Sequence, residues 1–215
     1  MKGITFGTTH TYRDYGLILG KKEIGSPAVK ENLVDIPGAD GNLDMTDFFG
    51  EPKFENVKHK FEFSALVSPD EALALFSKVK NALHGKKHRI ILDDEPAYYY
   101  VGRCHVSSYT DEKGIGTLSI ECDCDPYKYK LAKTTVTKVV EGTQAVTLTN
   151  NRKRAVPEVT ITTDSTLNIV YQGTNIWDLA SGSYTLPELE LVEGANTVTV
   201  TGTGSITFAW QEGDL

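Results

Sequence analysis

Three adjacent carboxylates, Asp93, Asp94 and Glu95, precede Pro96 and the aromatic row Tyr98-Tyr99-Tyr100. Carboxylates beside aromatic rings are the raw material of glycoside hydrolysis, so a hydrolase acting through Asp94 or Glu95 is one reading. That chemistry needs two carboxyl groups on opposite sides of a scissile bond, roughly 5 to 9.5 Å apart and differently tuned. Three neighbours on one turn do not supply it, and an exposed turn is the simpler account. The cysteines are Cys104, Cys122 and Cys124. Their odd count argues against a disulfide framework. With His105 nearby a zinc site is conceivable, but the spacing is Cys-x-Cys and no second pair exists. Small buried core residues are the better expectation, Cys122 and Cys124 sharing one strand face. No Gly-x-Ser-x-Gly, His-Glu-x-x-His or P-loop occurs, and the five histidines have no metal-like spacing. No catalytic residue, metal ligand or cofactor is expected.

Aromatic residues carry the remaining chemistry. Trp177, Trp210 and Tyr171 could stack on sugar rings, but both tryptophans lie in alternating runs, which predicts core packing. Tyr98, Tyr99 and Tyr100 put rings on both faces of one strand. Such a strand is covered twice or lies at an interface, and the tyrosines favour an interface.

Those residues need elements to hold them. The pattern predicts strands over Gly3–Phe6, Ala28–Ile36 and Val57–Val67, with Lys21–Pro27 as a polar loop. In Val57–Val67 the residues Val57, His59, Phe61, Phe63, Ala65 and Val67 share one face. Ile36-Pro-Gly-Ala-Asp-Gly-Asn-Leu-Asp44 contains two turn dipeptides, Pro37-Gly38 and Asp40-Gly41, and predicts a tight double bend between antiparallel strands. Ser68-Pro-Asp-Glu71 is a capping box with proline at the first helical position. The helix it opens carries the stripe Ala72, Leu75, Phe76, Val79 and Leu83 and ends at Gly85. Strands over His88–Leu92, Tyr98–Tyr109 and Ile115–Asp125 follow as a meander with turns at Asp93–Pro96 and Asp111–Gly114.

After Tyr127 the composition shifts to threonine, and Lys130–Thr137 reads as a linker or crossing strand. Short strands follow at Ala145–Leu148, Glu158–Thr162, Leu167–Tyr171, Asn175–Leu179, Tyr184–Leu186, Leu189–Leu191, Thr197–Thr201 and Ile206–Trp210. Turns are expected at Gln172-Gly173, Ser181-Gly182, Glu193-Gly194 and Thr203-Gly204. This is the pattern of an antiparallel sandwich. The fold class is thus mainly β: residues 1–130 a barrel- or sandwich-like domain with one α-helix, residues 131–215 an antiparallel β-sandwich.

The 215 residues carry a formal charge of −7, with no cation after Arg154. That argues against wrapping nucleic acid by phosphate neutralisation. No apolar run approaches the roughly 20 residues of a membrane helix. Met1-Lys-Gly-Ile-Thr-Phe-Gly7 lacks the apolar stretch of a secretory signal, so folding in a cytoplasm is expected.

Taken in order, several stretches resemble the distal tail proteins of long-tailed, non-contractile bacteriophages and prophages. They are Ile36–Asp44, Leu83-His-Gly-Lys86, Asp93-Asp-Glu-Pro96, Tyr100-Val-Gly-Arg103 and Cys124-Asp-Pro-Tyr127. Pro157–Ile161, Leu191–Val198 and Gln211-Glu-Gly-Asp-Leu215 continue the resemblance nearly to the end of the chain. Ala39 departs from it, because a charged residue is usual there. The resemblance implies a virion structural protein, not an enzyme: a hexameric ring at the tail tip that joins tail tube to baseplate. It implies a ring-forming N-terminal domain and a galectin-like C-terminal sandwich. It also implies partners: further copies of the chain, the tail tube protein, a tail-associated hub or lysin protein, and receptor-binding or side-fibre proteins. DNA would pass through the ring without specific binding, and no membrane is involved. Tyr98, Tyr99, Tyr100, Pro37 and Asp40 are the expected subunit-interface residues. The alternative is a carbohydrate-binding module of a cell-wall-directed protein.

Overall fold

The computed structural model describes residues 2–48, 50–65, 67–112 and 115–215. The chain forms two compact units, Met1–Lys128 with Leu215, and Tyr129–Asp214.

In the first unit the elements are β1 (Ile4–Phe6), β2 (Thr9–His10), α1 (Thr11–Tyr15), β3 (Ile18–Ile24), β4 (Leu33–Asp35), β5 (Asn42–Asp44), β6 (Val57–Ala65), α2 (Pro69–Leu83), β7 (Lys87–Leu92), β8 (Tyr98–Glu112) and β9 (Ile115–Cys124). An antiparallel sheet runs β2-β1-β7-β8-β9-β6-β3. The alternation read in β6 is realised: Val57, His59, Phe61, Phe63 and Ala65 are buried, while Lys58, Lys60 and Glu62 are exposed. The helix α2 starts where its box predicts. Glu71 Oε2 accepts from the Ser68 backbone N–H at 3.3 Å and from Ser68 Oγ at 2.9 Å. Its stripe packs on β8 and β9, with Val79 and Leu83 fully buried beside Phe61, Phe63, Ile90 and Ile120. Gly85, at φ +77°, turns the chain out of the helix, and its N–H donates to the Cys104 carbonyl.

Two expectations change here. A second helix, α1, exists; its N-cap is the His10 ring, a residue type outside the usual Ser/Thr/Asp/Asn signature. The expected loop Lys21–Pro27 is strand as far as Ile24, because β3 is an edge strand paired with β6 and its lysines face water. The last two residues of the predicted turn Asp111–Gly114, and Leu66 of the predicted Val57–Val67 strand, lie outside the described residues.

The second unit begins with β10 (Lys128–Lys130), which overlaps the boundary. It continues with β11 (Thr134–Asn150), β12 (Glu158–Thr162), β13 (Leu167–Tyr171), β14 (Thr174–Leu179), β15 (Gly182–Thr185), β16 (Gly194–Trp210) and β17 (Gly213–Asp214). The strands β11 and β16 pair antiparallel without a slip from Thr134↔Trp210 to Asn150↔Gly194. On its other edge β16 first pairs with β13, through residues 198–201, and then with β12, through residues 205–209. The order β14-β13-β16-β12-β15 therefore wraps one core containing Val140, Leu148, Ile161, Ile169, Val200, Phe208 and Trp210.

The sequence reading broke these long strands into pieces. Residues 134–137 of the expected linker or crossing strand, with Ala145–Leu148, are parts of β11; Thr197–Thr201 and Ile206–Trp210 are parts of β16, and Thr203-Gly204 is not a turn. Glycine is present there for a different reason. Gly202 (φ +135°) and Gly204 (φ +155°) mark where β16 changes neighbours, opposite Gly142 (φ +76°). A Cβ on Gly204 would lie 2.6 Å from the Thr162 carbonyl oxygen and 2.8 Å from Thr163 Cβ. Leu189–Leu191 is not a strand; Leu191 alone bridges to Ala155.

Replacing Gly204 by alanine forces both a crowded Cβ and an unfavourable φ, so a loss of about 1–3 kcal/mol is expected. Chemical denaturation of Gly204→Ala measures it; an unchanged midpoint would mean that the corner tolerates a side chain.

Candidate functional site

The carboxylate turn is structural. Asp93 Oδ2 accepts from the Gly3 N–H at 2.7 Å and faces His10 Nε2 at 3.1 Å. His10 Nδ1 accepts the Tyr12 and Arg13 N–H groups at 3.2 and 3.1 Å. The imidazole proton therefore sits on Nε2 and donates to Asp93. Partial burial pushes the Asp93 carboxyl up, but the Gly3 N–H and His10 outweigh it, and its pKa is lowered overall. Asp94 pairs with Lys2 and Lys22, and Glu95 with Lys128 at 2.6 Å. Each carboxylate ties the β7–β8 turn to another segment, and no two of them face a common cleft as an acid and base pair.

The three thiols are buried in the core of the first unit, with Cys104 and Cys122 Sγ atoms 3.0 Å apart. The Cys104 contact and burial push the Cys122 thiol up, and burial pushes Cys124 up to about 12. Such thiols are poor nucleophiles. No group of three or more His, Cys, Asp or Glu residues fit to hold a metal occurs among the described residues.

A cleft of about 440 Å³ lies beside the end of β3, lined by Ile24, Gly25, Pro27, Val57, His59 and Tyr100. His59 is 1% exposed; its Nδ1 accepts the Gly25 N–H at 3.2 Å and its ring meets Tyr100 edge-on at 4.6 Å. Burial lowers its pKa, and burial likewise lowers that of His88. A histidine held neutral in the fold contributes stability above its unfolded pKa of about 6.5 and loses it as pH falls below that value. The stability of the chain should therefore decline between about pH 7 and 5. His59→Gln, which can still accept from Gly25, should flatten part of that decline in denaturant titrations; an unaltered slope would exclude His59 as a contributor.

The expected interface residues do not form one patch. Pro37 and Asp40 are exposed at the tip of the β4–β5 hairpin. Its turn is type II: the Ala39 N–H donates to the Ile36 carbonyl at 3.1 Å, with Pro37 and Gly38 (φ +84°) at its centre. Tyr99 is buried in its own unit, beneath the Arg89 guanidinium at 4.8 Å. Tyr98 and Tyr100 are half-buried; Tyr98 lies under Lys128 at 4.8 Å, and Tyr100 packs on the core.

The hairpin that carries this tip is the larger feature. From Ala28 to Glu55 the chain runs out and back as one ribbon. Glu55 N–H donates to Ala28 and Lys30 N–H to Lys53; Val29 bridges Phe54; β4 pairs with β5. Among the described residues β4 and β5 pair with no other strand. Val29, Leu33, Val34, Ile36, Leu43 and Phe48 are all exposed, Leu33 and Leu43 at 49% each. Val34 and Leu43 are directly opposite one another. A two-stranded hairpin is marginal by itself, and contiguous exposed apolar surface marks an interaction site.

In the second unit Trp210 is buried, as expected, and Tyr171 is buried with its hydroxyl donating to Asn196 Oδ1 at 2.7 Å. Trp177 contradicts the core-packing expectation: it is 60% exposed on β14. The reason is its register: Ile176 pairs with the buried Ile169 and packs on the core, which turns its neighbour Trp177 to the opposite face. Glu212, which composition alone would put at the surface, is 3% exposed. It pairs with Lys130 at 2.6 Å and accepts from the Thr134 hydroxyl. Removing one partner of a buried pair leaves an uncompensated charge. Glu212→Ala should cost about 3 kcal/mol, at the low end for buried pairs because Lys130 is one-third exposed. Equilibrium unfolding tests it, and a loss under about 0.5 kcal/mol would match a surface pair instead.

No protein-family profile matches the sequence, and no curated protein matches it. Among solved structures it is similar to Dit (gp 19.1) of phage SPP1, described as a paradigm of the hub adsorption apparatus in phages that infect Gram-positive hosts. The two agree with a TM-score of 0.75 over 100% of both chains, at 14% identity. The chain thus has, from end to end, the fold of a phage distal tail protein, as the ordered motifs of its sequence suggested.

Proposed function

We propose that this protein is a structural component of a phage tail tip. The observation that carries the reading is the full-length fold likeness to Dit, which covers both units and leaves no part of either chain unmatched. In this reading the chain is an assembly part and not an enzyme. Six copies form a ring that joins the tail tube to the baseplate. The first unit makes the ring, and the second anchors receptor-binding or side-fibre proteins. A tail-associated hub or lysin protein docks below. The protein is made in the host cytoplasm and ends in the virion.

The 28–55 ribbon supports self-assembly. Its apolar residues lie on a hairpin that its own chain does not cover, and a closed ring of identical copies covers every such surface at once. The β3 and β2 edges of the first sheet are further surfaces that a ring can use. Pro37 and Asp40 at the tip, with Tyr98 and Tyr100 on β8, are the proposed contact residues; Tyr99 acts from beneath by holding Arg89. The net charge of −7 suits a lumen through which DNA slides without binding.

Native mass spectrometry tests the ring: six subunits are expected. Leu33→Ser with Leu43→Ser should shift the particle towards monomer without lowering the monomer's melting temperature by more than a few degrees, since both side chains are already exposed. A wild-type chain that stays monomeric at high micromolar concentration would overturn the ring. Tyr98→Ser with Tyr100→Ser gives a second arm, with Tyr100 expected to cost some stability as well.

A further inference from the structure

On the second unit the register shift between β13 and β14 has a defined form. Leu167 pairs with Leu179 and Ile169 with Ile176. One residue of β13, Asn168, is therefore opposed by two of β14, Trp177 and Asp178. This is a β-bulge, a device that re-aims side chains and is frequent beside functional sites. Asp178 has φ +59°, and its N–H donates to Asn168 Oδ1 at 2.8 Å. Few non-glycine residues adopt that conformation, aspartate among them, and here the Asn168 side chain holds it. As a result Trp177 and Asp178 are both exposed, whereas strict alternation would bury one of them.

The bulge sits at the end of a polar row. Asn168 pairs with Thr201 of β16, and Thr201 pairs with Thr143 of β11. The two threonine hydroxyls are 3.1 Å apart. Leu167, Ile169 and Val200 point into the core, so Asn168 and Thr201 face the other way. One face of the sheet thus carries, in sequence across four strands, an indole plate, a carboxylate, an amide and two hydroxyls.

We infer that Trp177, Asp178, Asn168 and Thr201 form a binding site for a neutral oligosaccharide. The chemistry of the row fits a pyranose. The indole face takes the apolar C–H face of a sugar ring, and the carboxylate accepts from two neighbouring hydroxyls. The Asn168 oxygen is already used by Asp178, so its NH2 group is left to donate. Charge selects the ligand class. The strands β12 to β16 contain no Lys, Arg or His, so neither β14, which carries Asp178, nor its neighbours β13 and β16 supply a cation to compensate a phosphate or sulfate there. A teichoic-acid-like polyanion or a nucleic acid is disfavoured, and a neutral glycan of a cell envelope is the class that fits. This site is independent of ring formation; a monomer would carry it as well.

Intrinsic fluorescence reads the site directly, because Trp210 is buried and Trp177 is the exposed indole. The full chain is titrated with neutral tetrasaccharides built from glucose, galactose or N-acetylglucosamine. Saturable binding of at least one, with a blue shift of the emission, supports the site. Trp177→Ala should abolish the shift and weaken binding at least tenfold by calorimetry. Asp178→Gly, which keeps the backbone conformation, and Thr201→Val should each weaken it at least threefold while melting temperatures stay close to wild type. Absence of saturable binding to every neutral sugar at millimolar concentration overturns the inference. So does binding that Trp177→Ala removes but Asp178→Gly and Thr201→Val leave untouched, which is unspecific stacking. Tighter binding to a phosphorylated glycan than to its neutral counterpart also overturns it.

Discussion

A strand buries an apolar face only where something covers it, and this requirement orders the whole molecule. In the first unit α2 lies over β8 and β9 and closes the core built from Phe61, Phe63, Ile90 and Ile120. In the second unit no helix is available among the described residues, so the sheet covers itself. The strands β11 and β16 run paired throughout, and β16 hands its free edge from β13 to β12 at Gly202 and Gly204. With glycine at these positions the backbones approach more closely than a side chain permits. On the ribbon 28–55 the requirement is unmet at six of the described apolar residues. Burying a half-exposed leucine is worth on the order of 1 kcal/mol. Six exposed apolar residues on one arm would contribute several kcal/mol if another surface covered them.

Several buried polar groups obey a parallel rule, although others, Trp210 Nε1 and His59 Nε2 among them, have no hydrogen-bond partner among the described residues. Each is costly unless it is paired. His10 joins the α1 N-terminus to Asp93, and Asp93 in turn holds Gly3, so one side chain pair fixes a helix start, a turn and the first strand. Glu212 does the same for Lys130 and Thr134. These groups are used up in holding geometry. A catalytic site needs titratable groups with spare valence and a pKa poised near the working pH; here the thiols are pushed up and the one cleft histidine is pushed towards neutrality.

Much of this was legible in the sequence. The β6 alternation, the capping box of α2, the type II turn at Pro37-Gly38 and the strands β12 and β13 follow from local chemistry, because each is set by residues a few positions apart. What escaped depends on distant partners. The α1 cap is an imidazole whose tautomer is set by Asp93, 83 residues away. The long β11 and β16 strands contain glycines that look like turn punctuation until the opposing strand is known. Trp177 keeps the alternation of its run but loses the burial, because pairing with β13 gives the core face to Ile176. The ribbon's apolar residues read as ordinary strand residues; that they stay exposed is a fact of tertiary structure.

Two chains can share this fold at 14% identity because a core asks for volume and alternation, not for particular residues. Function is not transmitted so loosely. In a tail-tip protein it would reside in the surfaces that meet other molecules, and these are the positions free to diverge once the core is satisfied. The sites worth comparing between relatives are therefore the exposed ones: the apolar residues of the 28–55 ribbon, and the bulge carrying Trp177 and Asp178. The bulge is the more telling of the two. An exposed apolar ribbon can be conserved by any need for self-association. A bulge that exposes an indole and an aspartate side by side, with the aspartate held at positive φ by Asn168, is a much narrower geometry to preserve.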